Sequence, residues 1–537
     1  MAKPTPKTDI NFEKDLWKAA DELRGAVAEN QYKDYVLSLI FIKHLSERYE
    51  VRREELVNLL QDPQSDYYTV NTDEISYVME DSDEYLSKNV LKIPKEASWQ
   101  YLQDNAEKDD IKVKVDNALD LLQEVLDTYK PGNPDLLPRI FVKSQLTPRQ
   151  VGGLINLFSQ NKFSEKENPQ SDILGRIYEY YLGKFAMTEG TGAGQFFTPG
   201  SIVRLLVEML EPYEGRIFDP ACGSGGMFVQ SLKFIKAHDG NVGDISVYGQ
   251  ERYDGTLRLC KMNLILRDLP FDIRLGNSLL DDKFPDLKAD YVITNPPFNV
   301  DTWHPEDLPE TDPRLLGPRE EFTTNGNANY MWMQTFWSHL SDKGTAGYVM
   351  ANGAMTTNNK GEKNVRKKMV DDGMVDCIVR MPDKLFMTTG IPACLFFLSK
   401  DRDGHADHRD RKNEILFIDA SKMGEMATRR LRVFSDEDIA KITNTYHVWR
   451  NNPVIQSESE ESANYQDTLG FCKSATLEEV KAQDYKLTPG IYVGTEAEED
   501  DGVPFEEKME GLKKKVEKQF AESNKLQEKI KENFKLI

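Results

Sequence analysis

A short apolar run at residues 290–294 ends directly in Asn295, Pro296, Pro297 and Phe298. Such a run is typical of a buried β-strand, and the prolines stop further pairing because proline has no backbone N–H to donate. The strand end instead presents oxygens: the Asn295 side-chain carbonyl and the Pro296 backbone carbonyl can both accept hydrogen bonds from one –NH₂ group. Phe298 adds a flat face for stacking. A plain proline turn after a core strand would have the same sequence.

The two acceptors suit the chemistry of an exocyclic adenine amine. The lone pair of that amine is delocalised into the ring, which makes the nitrogen a poor nucleophile. Two acceptors on its hydrogens would draw the nitrogen towards tetrahedral geometry and localise the pair. This help would come mainly in the transition state, where catalysis requires it.

A glycine-rich turn follows a second apolar run, at residues 216–219, and leads into a helical stretch at 227–237. Glycines let backbone approach a ligand closely, and the helix N-terminus offers free N–H groups. The spacing is not that of a dinucleotide fingerprint, because Gly223, Gly225 and Gly226 are too close together. The candidate cofactor-binding residues of this turn are Asp219, Ala221, Gly223, Ser224 and Gly225.

Two further strand ends carry polar side chains. The run at 246–251 ends in Glu251, a carboxylate that can bridge two ribose hydroxyls, and the run at 271–275 is followed by Asn277, suited to an adenine edge. Ligands bind at the carboxyl ends of strands in open α/β sheets. The sequence therefore predicts a loop for an amino-acid group, a carboxylate for a ribose and a polar group for a base.

Another segment precedes the sheet and runs into the amphipathic stretch 201–210. Pro199 fits a first helical turn and Thr198 fits an N-cap. A helix start of this kind needs no ligand to explain it. The residues of the segment are Gln195, Phe196, Phe197, Thr198, Pro199 and Gly200.

Taken in order, these segments resemble a known family. Four segments resemble motifs X, I, II and IV of γ-class amino-methyltransferases, in that order: QFFTP at 195–199, DPACGSGG at 219–226, the strand end at Glu251 and NPPF at 295–298. The wider chain resembles the modification subunits of type I restriction–modification systems over nearly all of its 537 residues. The likeness includes the segments 16–25, 172–180, 389–392 and 485–493.

The resemblance implies an α/β fold with a Rossmann-like methyltransferase sheet. It also implies transfer of a methyl group from S-adenosylmethionine to N6 of a flipped adenine in double-stranded DNA, with no metal, because the sulfonium already activates the methyl group. Asn295, Pro296, Pro297 and Phe298 would hold the base; Phe386 is either a second stacking ring or a core phenylalanine. Two such subunits would assemble with one specificity subunit, and a nuclease and translocase subunit is a further expected partner.

Three alternatives stay open. Cytosine N4 methylation uses related chemistry, but its enzymes more often carry serine at the position of Asn295. Protein-glutamine methylation uses a similar turn, usually with tyrosine in place of Phe298, on chains without the long helical N-terminus and the C-terminal helix. The chain can also be a cofactor-binding assembly subunit without turnover.

The net charge of −22 is unfavourable for a DNA-binding enzyme, since DNA affinity comes mostly from neutralising phosphates. The basic run at 360–368 is either a DNA-facing edge or a solvated helix face. We prefer the interpretation that another subunit supplies most of the DNA contacts.

The chain divides into three expected parts. We expect residues 1–165 to form a helical domain with a buried helix at 36–45. We expect residues 166–480 to form the methyltransferase domain, with later strands at 347–351, 375–381, 393–398 and 415–418. A long polar connection at 299–329 is expected to cover the active site and to order with DNA. Residues 481–537 predict a tail.

The tail and the cysteines complete the expectations. After an acidic linker at 496–501, apolar residues recur at three-to-four-residue spacing to the end, apart from a gap between Phe520 and Leu526. This pattern predicts an amphipathic helix that binds a partner or folds back on its own chain. The five cysteines form no C-x-x-C pair, which argues against a disulfide framework. The apolar stretch 35–42 is too short to cross a membrane, so we expect a cytoplasmic protein.

Overall fold

The computed structural model describes residues 32–129, 132, 135–160, 180, 198–386, 392–404, 408–428, 431–451, 465–495 and 505–534. Several predicted segments lie outside these residues: Gln195, Phe196 and Phe197, the segments 16–25, 172–179 and 389–391, and the linker at 496–501. The chain divides into two compact units, Met1–Val493 and Gly494–Ile537.

The described N-terminal part is helical, as predicted. Its helices are α1 (Tyr32–Gln61), α2 (Thr72–Glu80), α3 (Ser82–Leu86), α4 (Trp99–Asp104), α5 (Ile111–Tyr129) and α6 (Pro148–Phe158). The predicted buried helix is the middle of α1, where residues 35–46 are all buried. One apolar cluster joins α1, α4, α5 and α6.

Strands and helices alternate in the next part. The first elements are α7 (Gly200–Leu210), β1 (Gly215–Asp219), α8 (Gly226–Ala237), β2 (Ile245–Glu251), α9 (Asp254–Ile265), β3 (Phe271–Leu275) and β4 (Ala289–Thr294). They are followed by α10 (Arg319–Phe322), α11 (Asn329–His339), β5 (Leu340–Ala351), α12 (Lys360–Asp371), β6 (Val375–Arg380), β7 (Ala393–Ser399) and β8 (Glu414–Asp419). The last are β9 (Glu425–Met426), β10 (Arg432–Val433), α13 (Asp436–Arg450), β11 (Cys472–Thr476) and α14 (Leu477–Ala482). Short 3₁₀ helices occur at Lys95–Ala97, Val242–Asp244, Pro305–Asp307, Asn352–Met355 and Pro489–Ile491.

Nine of the described strands form one sheet in the order β11-β8-β6-β7-β5-β4-β1-β2-β3. Strands β1 to β5 run parallel to one another, whereas β7 lies antiparallel between β5 and β6. The parallel strands place the carboxyl ends of β1, β2 and β4 at one edge of the sheet. The predicted α/β architecture is confirmed, and each predicted strand corresponds to an observed one.

Apolar clusters cover both faces of the sheet. Helix α9 also contributes Leu259, Met262 and Ile265 to the cluster of the N-terminal helices. The amine of Lys261 donates to the carbonyl of Gly132 at 3.1 Å. The N-terminal helices therefore pack against the methyltransferase sheet through α9.

The connection at 299–329 is packed against the chain, whereas the sequence predicts a loop that becomes ordered only when DNA binds. Trp303 and Leu308 are buried in it. Arg314, 4% exposed, pairs with Asp312 and donates to the backbone carbonyls of Ser278 and Leu279 at 2.6 and 2.8 Å. These contacts hold the connection onto the segment that follows β3.

The second unit contains one long helix, α15 (Phe505–Phe534), close to the predicted extent. Four apolar side chains of the predicted stripe are exposed: Met509, Val516, Phe520 and Leu526. None of the described helices combines the length and apolar character needed to cross a bilayer. All five cysteines are buried and free.

Candidate active site

Asn295 lies directly after β4, with its side chain fixed at one end. Its Nδ2 donates to Thr198 Oγ1 at 2.8 Å, while its Oδ1 is buried and has no hydrogen-bond partner among the described residues. Thr198 is not the predicted N-cap: Pro199 occupies that position, without a side-chain capping bond. The threonine hydroxyl instead accepts a hydrogen bond from the Asn295 amide. Pro199 precedes the helix and is not its first residue.

The residues after Asn295 form the predicted turn. Pro296 is buried, and Pro297 and Phe298 are half-buried. The Phe298 ring meets Phe386 edge to face, with centroids 6.4 Å apart and planes at 84°. Two rings in this arrangement do not sandwich a base between parallel faces, and Phe386 is only 4% exposed. Phe386 therefore belongs to the core, one of the two interpretations of its sequence position.

The ends of β1 and β4 are joined by a buried carboxylate. Asp219, 1% exposed, accepts hydrogen bonds on Oδ1 from Thr294 Oγ1 at 2.6 Å and from the Ala221 backbone N–H at 3.0 Å. Burial raises the pKa of Asp219 to about 7, although these two hydrogen bonds oppose the rise; the nearby charge of Glu251 adds to it. This bond network links the glycine-rich turn to the strand that carries Asn295.

Two glycines of the turn have left-handed backbones for different reasons. A Cβ on Gly225 (φ 82°) would lie 3.0 Å from Cys260 Sγ, so this glycine is needed for packing. A Cβ on Gly223 (φ 54°) would meet nothing within 4 Å. Gly223 therefore faces open space in which a ligand can approach the backbone.

That space is a cavity of about 180 Å³. The structure brings seven predicted residues together in its lining: Thr198, Gly200, Asp219, Ala221, Gly223, Ser224 and Asn295. Residues that the sequence did not single out also line it, among them Met227, Gln230, Lys233 and Asn263. The amine acceptor and the glycine-rich turn thus share one cavity.

Glu251 and Asn277 lie at the same sheet edge but are not among the lining residues. Glu251 is 8% exposed, and its Oε2 and Oε1 accept from the backbone N–H groups of Gly223 at 3.1 Å and Tyr253 at 2.9 Å. Burial raises its pKa. Asn277 Oδ1 accepts from the Leu279 N–H at 3.2 Å. In this structure both side chains therefore accept hydrogen bonds from backbone N–H groups.

Two polar residues at the site, Thr294 and Asn263, and one at the end of the neighbouring strand β5, Asn352, were missed by the sequence reasoning. Thr294 binds Asp219, and Asn263 Nδ2 donates to the Ser224 carbonyl at 2.9 Å, which supports the glycine-rich turn from α9. Asn352 follows β5, and its Oδ1 is buried without a partner among the described residues. A polar residue directly after a buried strand is the signal that would have found Asn352.

The basic run at 360–368 forms most of α12 and is largely engaged within the chain. Lys363 pairs with Asp484 at 2.5 Å, and Lys368 with Asp372 at 2.7 Å. Arg366 is 1% exposed and donates to the carbonyl of Tyr485 at 2.9 Å. These contacts favour a structural role for the run.

Comparison with known proteins shows the family of the chain. A model of the family described as N-6 DNA Methylase matches residues 169–501, and a model of the HsdM N-terminal domain matches residues 12–173. The chain belongs to the N-6 DNA methylase family. The predicted fold class, enzyme class and methyl donor, S-adenosylmethionine, are confirmed.

Individual relatives show how far the likeness extends. The type I restriction enzyme MjaIX methylase subunit of Methanocaldococcus jannaschii is 40% identical over 523 residues, which cover 97% of this chain and 90% of that one. The HindI methylase subunit of Haemophilus influenzae is 44% identical over 393 residues, 71% of this chain and 84% of that one. The crystal structure of a type I restriction-modification methyltransferase subunit from Streptococcus thermophilus aligns with a TM-score of 0.69 at 22% identity, over 90% of this chain and 99% of that one. The predicted role as the adenine-N6 modification subunit of a type I system is confirmed.

Proposed function

We propose that this N-6 DNA methylase family chain transfers the methyl group to a flipped adenine held at Asn295, Pro296, Pro297 and Phe298. The observation that carries this assignment is the Asn295 Oδ1 atom, which is buried beside the cavity and lacks a partner among the described residues. A buried acceptor without a donor costs free energy, and an adenine amine would supply the donor. The Pro296 carbonyl would accept the second hydrogen, and Phe298 would stack on the base.

The described lining of the cavity provides groups that S-adenosylmethionine would need. When bound, this cofactor supplies an activated methyl group on a sulfonium, so the transfer needs no metal. Gly223 gives backbone access without a side chain, and Asp219, Ala221, Ser224 and Thr198 line the same space. We assign Gln195, Phe196, Phe197, Pro199 and Gly200 to the same cofactor site, and Asn277 to the adenine of the cofactor.

We propose two roles for Glu251. Each of its carboxylate oxygens accepts one backbone hydrogen bond, which leaves further lone pairs for the ribose hydroxyls. Its bond to the Gly223 N–H holds the turn in position. Gly225 contributes indirectly, because it lets the turn pack against Cys260.

The protein's catalytic task is orientation and hydrogen bonding. Asn295 and Pro296 would hold the amine by its two hydrogens, which would turn its lone pair towards the methyl group that the bound cofactor supplies. The proton that the nitrogen loses goes to water after transfer. We assign no general base.

We further propose that the chain acts on double-stranded DNA within an assembly of two copies and one specificity subunit, to which a nuclease and translocase subunit adds. The net charge of −22 and the engaged basic run of α12 support DNA contacts made mainly by another subunit. The exposed apolar side chains of α15 support a partner-binding role for that helix. Free cysteines fit a cytoplasmic location.

The proposed domain division is 1–165, 166–480 and 481–537. The two family-model matches support a boundary close to the first of these limits, whereas the second lies within α14 and the first compact unit continues to Val493. Each part has its own role: helical packing, methyl transfer and partner binding.

Labelled S-adenosylmethionine, incubated with DNA and with this chain alone or co-expressed with a specificity subunit, tests the function. Nucleoside analysis should show N6-methyladenine, strongest in the assembled complex. N4-methylcytosine, labelled protein glutamine or no transfer by the complex would each contradict the assignment.

A further inference from the structure

Thr198 and Asn295 are 97 residues apart in the chain and form one hydrogen bond, from Asn295 Nδ2 to Thr198 Oγ1 at 2.8 Å. Among the described residues, this hydroxyl is the acceptor for the amide nitrogen. The other end of the amide, Oδ1, is the buried acceptor that has no partner. One side of the Asn295 amide is thus fixed by Thr198, and the other side is left for the substrate.

We propose that Thr198 is a positioning residue that sets the orientation of the Asn295 amide, so that Oδ1 and not Nδ2 faces the target amine. This inference rests on the proposed function of Asn295. The two ends of an amide have opposite hydrogen-bonding character: Oδ1 only accepts and Nδ2 only donates. An amide turned by 180° would direct donor hydrogens at the amine's own hydrogens and would remove the acceptor that the reaction needs.

The backbone around Thr198 is suited to this task. Thr198 lies two positions before the first residue of α7, and that helix packs onto the sheet through Ile202, Leu205 and Leu206, each 0% exposed. A residue that leads directly into a packed helix has a restricted position. We therefore expect α7 to restrain the Thr198 hydroxyl from the side that follows it in the chain.

The same hydroxyl lies at the cofactor cavity, which Thr198 and Asn295 both line. Direct contact between Thr198 and the cofactor is the competing explanation for its place there. The two roles give different kinetics. Loss of a cofactor contact weakens cofactor binding, whereas loss of amide orientation lowers the rate of methyl transfer at saturating cofactor.

The test uses the full chain assembled with its specificity subunit. Thr198→Val replaces the hydroxyl with a methyl group of similar size, and Thr198→Ser keeps the hydroxyl. Ser201→Ala is the matched control, because Ser201 Oγ in the first turn of α7 is buried without a hydrogen-bond partner among the described residues. The measurements are single-turnover methyl transfer at saturating S-adenosylmethionine, and the cofactor Kd from calorimetry.

We expect Thr198→Val to lower the transfer rate about tenfold to a hundredfold, the range for a buried amide donor left unpaired, with the cofactor Kd changed less than about threefold. Thr198→Ser should restore the rate to within a few-fold, and Ser201→Ala should match the wild type. A normal Kd shows that the valine variant is folded; if it does not fold, Thr198→Ala is measured in its place.

Three results would overturn the proposal. One is a normal rate in Thr198→Val; another is a rate loss that disappears at saturating cofactor; the third is a serine variant as slow as the valine variant. Failure of the proposed function looks different, since it would appear as methyl transfer that persists in Asn295→Ala or is absent from the wild-type complex.

Discussion

Asp219 makes the folding stability of the protein depend on pH, and one substitution should remove this contribution. Its carboxyl is 1% exposed, and burial raises its pKa from the ordinary 3.8 to about 7. Between these two values the folded chain keeps the proton while the unfolded chain has lost it. The folded state therefore loses stability as the pH rises from about 4 to about 7, and the full loss is present above pH 7.

The size of the effect follows from the two pKa values. The difference between 3.8 and about 7 corresponds to about 4 kcal/mol at most, of which about 2.7 kcal/mol falls between pH 5 and pH 8. Asp219→Asn keeps an oxygen that can accept from Thr294 and Ala221 but carries no charge. We expect this variant to gain stability relative to the wild type as the pH rises from 5 to 8.

Urea unfolding followed by tryptophan fluorescence at several pH values measures this difference. Titrating groups that do not interact with Asp219 cancel in the comparison, because the wild type and the variant share them. Asp286→Asn, at an exposed carboxylate, is the control for the removal of one charge. A difference between Asp219→Asn and the wild type that stays constant with pH would refute the reasoning.

Three other predictions follow from the same structure. Gly223→Val, which fills the open space beside the turn, and Glu251→Ala, which frees the Gly223 N–H, should each weaken S-adenosylmethionine binding at least about tenfold in calorimetry. Gly326→Val imposes similar backbone strain (φ 71°) outside the cavity lining and should leave affinity normal; unchanged affinity in both site variants would place the cofactor elsewhere. The purified chain alone should bind DNA weakly, with a steep salt dependence and no sequence preference, and tight site-specific binding in a gel-shift assay would contradict this. Deletion of residues 503–537 should abolish co-purification with the specificity subunit while the melting temperature stays unchanged, because apolar side chains of α15, at about 1.5–3 kcal/mol each when fully buried, lose their partner surface. Normal assembly with a lowered melting temperature would favour fold-back on the chain.

The sheet and its polar strand ends could be predicted because their signals are local. A buried strand reads as a continuous apolar run, and the polar residue that follows it marks the carboxyl end. These local signals predict Asp219, Glu251 and Asn295 at one edge of the sheet. Helix α15 could be predicted in the same way, from the spacing of its apolar residues.

The interactions that orient the site could not be predicted, because they join distant segments. Thr198 fits an N-cap by local pattern, but its hydroxyl binds a residue 97 positions away. The basic run of α12 reads as a solvated or DNA-facing surface, yet Lys363 pairs with a residue 121 positions later. The packed connection at 299–329 depends in the same way on Arg314, which reaches back to carbonyls after β3. Local composition carries no information about such partners.

The central claim is that Asn295 acts on the target amine and not on the cofactor. Single-turnover methyl transfer by the assembled complex, measured for the wild type and Asn295→Ala alongside the cofactor Kd, tests it most directly. We predict a rate loss of about 10²–10³, as for the removal of one preorganised hydrogen-bonding group at a developing charge, with the Kd within a few-fold of the wild type. Near-normal methyl transfer by Asn295→Ala would contradict the account.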